Sequence, residues 1–173
     1  MKTGRQLLNT VSMPKKIIEL VTGMLLVLVM GVFWGTWFSL SRTMNGLSPE
    51  IFITIGKEIM QNVAVTMRVI MPASIVGLAI LLVWSWKTKS VYFYCLAVAL
   101  VLFIIALIIT LTVEVPIDNQ IRTWTATTIP AGWENIRDRW ERYHTMRTFA
   151  SLACILFFLA GLISKTSLQK AYA

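Results

Sequence analysis

The segment D-R-W-E-R-Y-H-T-M-R-T, residues 138–148, holds the only histidine of the chain. Arg147 follows His144 by three residues, a spacing that puts imidazole and guanidinium on one face of a helix. Imidazole is the side chain whose ordinary titration lies nearest neutral pH, so it can take a proton and return it. A guanidinium beside it, from Arg147 or Arg68, would stabilise the anion left by removing a proton from an acidic C–H or a phenol. Glu58 and Glu114 are the carboxylates positioned to join them. The expected catalytic group is therefore His144, Glu58, Glu114 and Arg147.

Two carboxylates and one histidine also resemble a minimal iron or copper ligand set. One histidine with no E-x-x-H spacing is a weak metal signal, however, so neither a metal nor a cofactor is expected. Each group also has a simpler explanation. His144 would bond a neighbouring loop, Glu58 and Glu114 would be solvated at helix ends, and Arg68 and Arg147 would pair with acids to orient helices.

The elements that must position these side chains follow from composition. Of 173 residues, 57% are hydrophobic and 14% charged, with a mean hydropathy of +0.71. That is too apolar for an ordinary soluble domain. The net charge of +8 does not indicate nucleic acid, because the basic residues fall between apolar runs and form no basic, aromatic-interleaved face. Cys95 and Cys154 both lie in apolar runs, where a thiol behaves as a small hydrophobe, and no disulfide is expected.

A hydrocarbon core of about 30 Å needs about 20 apolar residues per helix. Residues 17–40, 63–86, 91–113 and 146–163 meet or nearly meet this, with 114–145 as an outer loop. The expected fold is all-α, a four-helix transmembrane bundle forming one domain over residues 1–173. Its first span reads as an uncleaved anchor, since the apolar run before Ser39-Leu40-Ser41 is too long for a signal peptide. Lys2, Arg5, Lys15 and Lys16 precede the first span, Lys87 and Lys89 follow the second, and Lys165 and Lys170 follow the fourth. This asymmetry predicts both termini on the cytoplasmic side of the cell membrane. Trp34, Trp37, Trp84 and Trp86 read as interface anchors, with Trp124, Trp133 and Trp140 in or near the outer loop.

Ser48-Pro49-Glu50 is a helix start, and Pro72 can kink a membrane helix without ending it. The second helix should then run from Pro49 to Trp86, about 55 Å, and the fourth from Pro130 to Ile163, about 50 Å. Both helices 2 and 4 would project beyond the membrane on the outer side. On helix four, Trp133, Arg137, Trp140, His144, Arg147 and Ser151 make one stripe, with Glu134, Asp138, Glu141 and Arg142 opposite. On helix two, Thr54, Glu58, Gln61, Val65 and Arg68 make another, with Asn62 at its edge. Gly23, Gly31 and Gly35 are expected to let helix one approach its neighbours closely. Helix three is expected to stop near Glu114 because Pro116 follows.

The stretches V-E-V-P-I-D-N-Q-I-R-T-W (113–124) and W-E-N-I-R-D-R-W-E-R-Y-H-T-M-R-T (133–148) resemble the anthrone oxygenase-like family of small four-helix membrane proteins. Matching positions are Val115, Pro116, Asn119, Trp124, Trp133, Arg137, Arg139, Trp140, His144, Arg147 and Thr148. Asp118 stands where the pattern often has Asn, and I-G-K-E-I-M-Q-N (55–62) is similar to the family's polar segment on helix two. The resemblance implies a membrane-bound oxygenase, acting in some members on polyketide anthrones without an established cofactor.

The expected function is thus an oxygenase-like enzyme with His144 as base, in which oxygen reacts directly with a carbanion. The residues expected to hold a small hydrophobic aromatic ligand are Gln61, Asn62, Arg68, Asn119, Trp124 and Trp140. The lipid bilayer is the other expected partner. Two further classes use the same cup without chemistry. A protein that binds or transports a small molecule, lipid or quinone would fit, although no repeat or broken half-helix supports transport. In a structural subunit, the polar cluster would serve only as glue.

Overall fold

The computed structural model describes the backbone of residues 3–171 apart from Asn45, and the side chains of residues 13–165 apart from Arg42 and Asn45. Of the basic residues that set the expected orientation, Lys2, Arg5 and Lys170 have side chains outside the described ones. Helix α1 (Thr3–Gly35) continues through a π-helical stretch, Thr36–Ser41, into the short α2 (Arg42–Met44). Helix α3 spans Pro49–Ser85 and α4 spans Val91–Ile109. A second π stretch, Thr110–Glu114, joins α4 to α5 (Val115–Arg122), and α6 spans Trp133–Ala171. Among the described residues, four segments are long and apolar enough to cross a membrane: Met13–Ser41, Pro49–Ser85, Val91–Arg122 and Trp133–Lys165. The protein is a multi-pass, all-α membrane protein.

Helices α1, α3, α4 and α6 pack in a ring, α4 against α6, α6 against α1, α1 against α3 and α3 against α4. The outside is apolar, as lipid contact requires; Val69 and Val83 of α3 are 70% and 71% exposed. In water such exposure would be costly, but in hydrocarbon it costs nothing. Ser48 has the extended backbone of an N-cap before Pro49, and Pro72 lies inside α3 without ending it. Helix three departs from the expected outline. Pro116 lies just after the π stretch, where the altered ladder accommodates its missing N–H, so the helical path runs on to Arg122 and the connecting segment shrinks to residues 123–132. Gly132 (φ +77°) then turns the chain into α6, in a left-handed conformation that a side chain would strain. The Asn135 amide donates back to its carbonyl at 3.0 Å.

Helix one packs differently from the expectation. Gly31 and Gly35 face open space, and only Gly23 meets a neighbour, with Phe158 3.1 Å from where a Cβ would stand. Small residues permit close approach only on the face that meets another helix, and the G-V-F-W-G pair lies on the wrong face. The tight crossings lie elsewhere, at Gly77 against Thr22 and at Gly161 against Cys95 and Tyr92.

At one end of the bundle, Glu19 accepts from the Tyr92 hydroxyl at 2.7 Å and pairs with Lys165 at 2.6 Å. This ties α1, α4 and α6 together. Two apolar clusters fill the interior. One includes Leu26, Phe33, Met67, Met71, Phe103 and Phe158; the other includes Met44, Phe52, Met60, Ile117, Ile121, Trp124, Trp133 and Trp140. Along α6 the residues between the two clusters are His144, Arg147, Thr148 and Ser151, all buried. Between Phe103 and Ile117 the buried polar residue is Glu114. The interior is therefore layered, with a polar stratum between two apolar ones.

Candidate functional site

The stripe expected on α6 is the buried face of that helix. Trp133, Trp140, His144, Arg147 and Ser151 are buried, whereas Glu134, Asp138 and Arg142 are exposed. His144 is 1% exposed, and both of its nitrogens are engaged. Nε2 lies 3.2 Å from the Phe33 carbonyl oxygen, which can only accept, so Nε2 carries the proton. Nδ1 accepts from Arg147, with Nε at 3.1 Å and Nη2 at 2.8 Å. These partners assign the neutral Nε2–H tautomer. The Trp140 indole stacks flat on the imidazole, 4.7 Å between centroids and 4° from parallel, and the Phe33 ring meets it edge-on at 6.2 Å.

Arg147 is the hub of the site. Besides His144, its Nη1 donates to Thr110 Oγ1 at 3.2 Å, its Nη2 is 2.8 Å from Glu114 Oε2, and its guanidinium lies over the Phe33 ring at 4.4 Å. Glu114 is fully buried and contributes the countercharge. The contact is close but not aligned as a hydrogen bond, so neither carboxylate oxygen receives an aligned donor among the described residues. The two π stretches flank this hub, Thr110–Glu114 carrying Thr110 and Glu114, and Thr36–Ser41 beginning three residues after Phe33. A π turn shifts the backbone ladder from i→i+4 to i→i+5 pairing and changes where the following side chains point; such turns are frequent at functional sites.

A cavity of about 170 Å³ opens beside the hub. Arg68 of α3, Thr110, Asp118, Asn119 and Arg122 of the α4–α5 segment, and Trp140, His144 and Arg147 of α6 contribute its polar wall. Met60, Met67 and Met71 contribute much of its apolar wall. Asp118 Oδ1 accepts from the Trp140 indole N–H at 3.0 Å.

Of the residues expected from the sequence, Glu114, Trp140, His144 and Arg147 come together, and Arg68 and Asn119 line the cavity. Glu58, Gln61 and Asn62 do not join them; all three are exposed on α3. The stripe they form is real, but the interior face of α3 is occupied by Phe52, Ile53, Gly56, Met60, Met67 and Met71, whose burial outweighs that of polar side chains. Trp124 is buried in the second apolar cluster, where its carbonyl accepts from Lys57 Nζ at 2.6 Å. Trp133 and Trp140 are likewise interior residues.

Asp118 and Arg122 were not among the expected site residues. Their signal was the spacing Glu114, Asp118, Arg122, steps of four that place all three on one helical face once the helix continues through Pro116. The contribution of Phe33 left no such trace, because a backbone carbonyl of helix one carries no side-chain signature.

Fold and site define a small four-helix integral membrane protein with a carboxylate- and guanidinium-lined pocket between its helices. The sequence profile of the anthrone oxygenase family matches residues 58–157, and the chain belongs to that family. The matched region carries every site side chain except those of α1. Among curated proteins and solved structures, none matches.

Proposed function

We propose that the protein is a membrane-embedded oxygenase that removes a proton from a small aromatic, anthrone-like substrate in this pocket. Membership of the anthrone oxygenase family supports the reaction class. The observation that carries the reading is the division of labour around Arg147. The Nδ1 lone pair of His144, expected to serve as the base, is engaged by Arg147, whereas the Asp118 carboxylate lines the cavity. Asp118 is then the proton acceptor, Arg147 stabilises the oxyanion of the resulting enolate, and His144 and Glu114 are positioning residues that hold Arg147. The proposed site lies on the side of the membrane opposite the basic flanks, which face the cytoplasm.

The reaction balances without a further reductant. The methylene C–H proton passes to Asp118, and its electron pair remains on the carbon. That carbanion forms a C–O bond to O₂, reducing it to a peroxide, which takes up the proton. Loss of the second C–H proton with cleavage of the O–O bond then gives a carbonyl and water. The cavity has about the volume of one that admits a single benzene ring. Only part of a tricyclic skeleton fits that volume, and the unbranched side chains of Met60, Met67 and Met71 in the wall can rearrange to admit more. The test is oxygen uptake with an anthrone in membranes containing wild-type protein or Asp118→Asn. Equal rates above background would overturn the assignment.

A further inference from the structure

The cavity wall has more positive charge than its own acids can neutralise. Arg68, Arg122 and Arg147 line it with a single carboxylate, Asp118, and Glu114 pairs with Arg147 from behind. Three guanidinium groups against two carboxylates leave one positive charge over. The charge of Arg147 is balanced by Glu114, so the surplus lies with Arg68 and Arg122.

Arg122 is the more constrained of the two. Its Nε is buried and has no hydrogen-bond partner, and its Nη2 reaches the Met60 carbonyl only at 3.5 Å. Buried donors are nearly always satisfied, and this guanidinium, with one long backbone contact, keeps donors unspent on the protein that a carboxylate can take through charge-assisted bonds. As the last residue of α5, Arg122 is also favourably placed against the helix dipole, but that role uses the charge alone and not the Nε–H. Arg68 has no acidic partner among the described residues and is exposed on α3 while lining the cavity.

We propose that the pocket selects a monoanionic aromatic ligand, one bearing a single carboxylate on its ring system, and that Arg122 reads that carboxylate with Arg68 adding to the field. The assignment rests on the pocket being the substrate site. It makes Arg122 a specificity residue, apart from the groups that handle the proton.

The test uses a matched pair of probes, anthraquinone-2-carboxylate and anthraquinone-2-carboxamide, with binding to the full-length protein in detergent followed by tryptophan quenching. The wild type is expected to bind the carboxylate about tenfold more tightly than the amide, the scale of one charge-assisted contact. Arg122→Gln should bring the ratio near one while changing the amide Kd by no more than about twofold. Should Arg122→Gln not purify, Arg122→Lys decides, since it keeps the charge but loses the planar guanidinium and should lower the ratio several-fold. Equal wild-type affinities, or a ratio unchanged by the Arg122 variant, would overturn the proposal. Oxygen uptake measured in parallel separates the two readings. A carboxylate preference without turnover of any anthrone removes the catalytic reading and leaves the ligand class standing. Turnover with no such preference does the reverse.

Discussion

Arg147 donates to Nδ1 of His144 from two nitrogens, at 3.1 and 2.8 Å, so the histidine serves as an acceptor while its Nε2–H is fixed on the Phe33 carbonyl. A side chain bonded at both ends orients its neighbours; it is not poised to receive a proton from the cavity. The imidazole links α6 to α1 and aims the guanidinium, and the carboxylate left facing the cavity is Asp118.

If Asp118 accepts the substrate proton, Asp118→Asn should lower oxygen uptake by about 10²–10⁴-fold, the usual contribution of a positioned general base. Asn retains an oxygen that can accept from the Trp140 indole, so thermal unfolding in detergent should stay close to wild type. A variant that unfolds normally yet turns over at the wild-type rate rules Asp118 out.

The two bonds of His144 predict that His144→Gln is the milder change. The Gln carbonyl can accept from Arg147 and its amide can donate to Phe33, so activity should fall by about tenfold or less. His144→Leu leaves the buried guanidinium without that acceptor and should fall further. If His144→Gln instead eliminates turnover as completely as Asp118→Asn does, imidazole proton transfer is required and the division of labour proposed here is wrong.

Glu114 supplies the countercharge of a buried arginine. Glu114→Gln leaves that charge uncompensated and is expected to cost about 3–5 kcal/mol, as breaking a buried pair usually does. Pairing it with Arg147→Gln should recover part of the loss, because the double variant removes both charges of the pair. Thermal denaturation of the four proteins of the cycle gives the coupling directly. An additive double variant would mean that the two side chains do not interact.

How much of this was legible in the sequence depended on the period of the signal. The four spans follow from apolar runs long enough to cross hydrocarbon, and the buried α6 stripe from repeats of three and four residues, which burial enforces along a helix. On α3 the same period was ambiguous. Glu58, Gln61 and Arg68 share a face, but sequence alone does not say whether that face or the Met60–Met67–Met71 face turns inward. The π stretches were illegible for a related reason, since one extra residue in a turn leaves no composition signal yet shifts the face on which Glu114 and Asp118 fall. Pro116, read as a stop, is accommodated just after the π stretch.

Close packing gives a prediction opposite to the one the glycines of helix one suggest. A Cβ at Gly77 would clash with Thr22 Oγ1 and stand 3.2 Å from Thr22 Cβ, whereas nothing lies within 4 Å of a Cβ at Gly35. Gly77→Val should therefore force α1 and α3 apart, at a cost of about 1–3 kcal/mol or more for overpacking. Gly35→Leu, on an open face, should be tolerated. Melting temperatures of the two variants in one detergent check this, and a larger loss for Gly35→Leu would place the helix contact where the structure does not.

The last prediction concerns sidedness. Lys87 and Lys89 lie in the short connection between α3 and α4 and are part of basic flanks that contain no acid apart from Glu19, whereas α5 and the first turns of α6 mix acids with arginines. Lysine and arginine in short loops resist translocation far more than acids favour it, so the α3–α4 connection is expected on the cytoplasmic side and the mouth of the pocket on the other. Single cysteines at Lys89 and Asn135, both exposed, in a chain with Cys95 and Cys154 replaced by Ser, should label differently with an impermeant maleimide. In intact cells Asn135→Cys is expected to label and Lys89→Cys only after permeabilisation. The reverse pattern would invert the protein, put the pocket mouth on the cytoplasmic side, and require its substrate to arrive from within the cell.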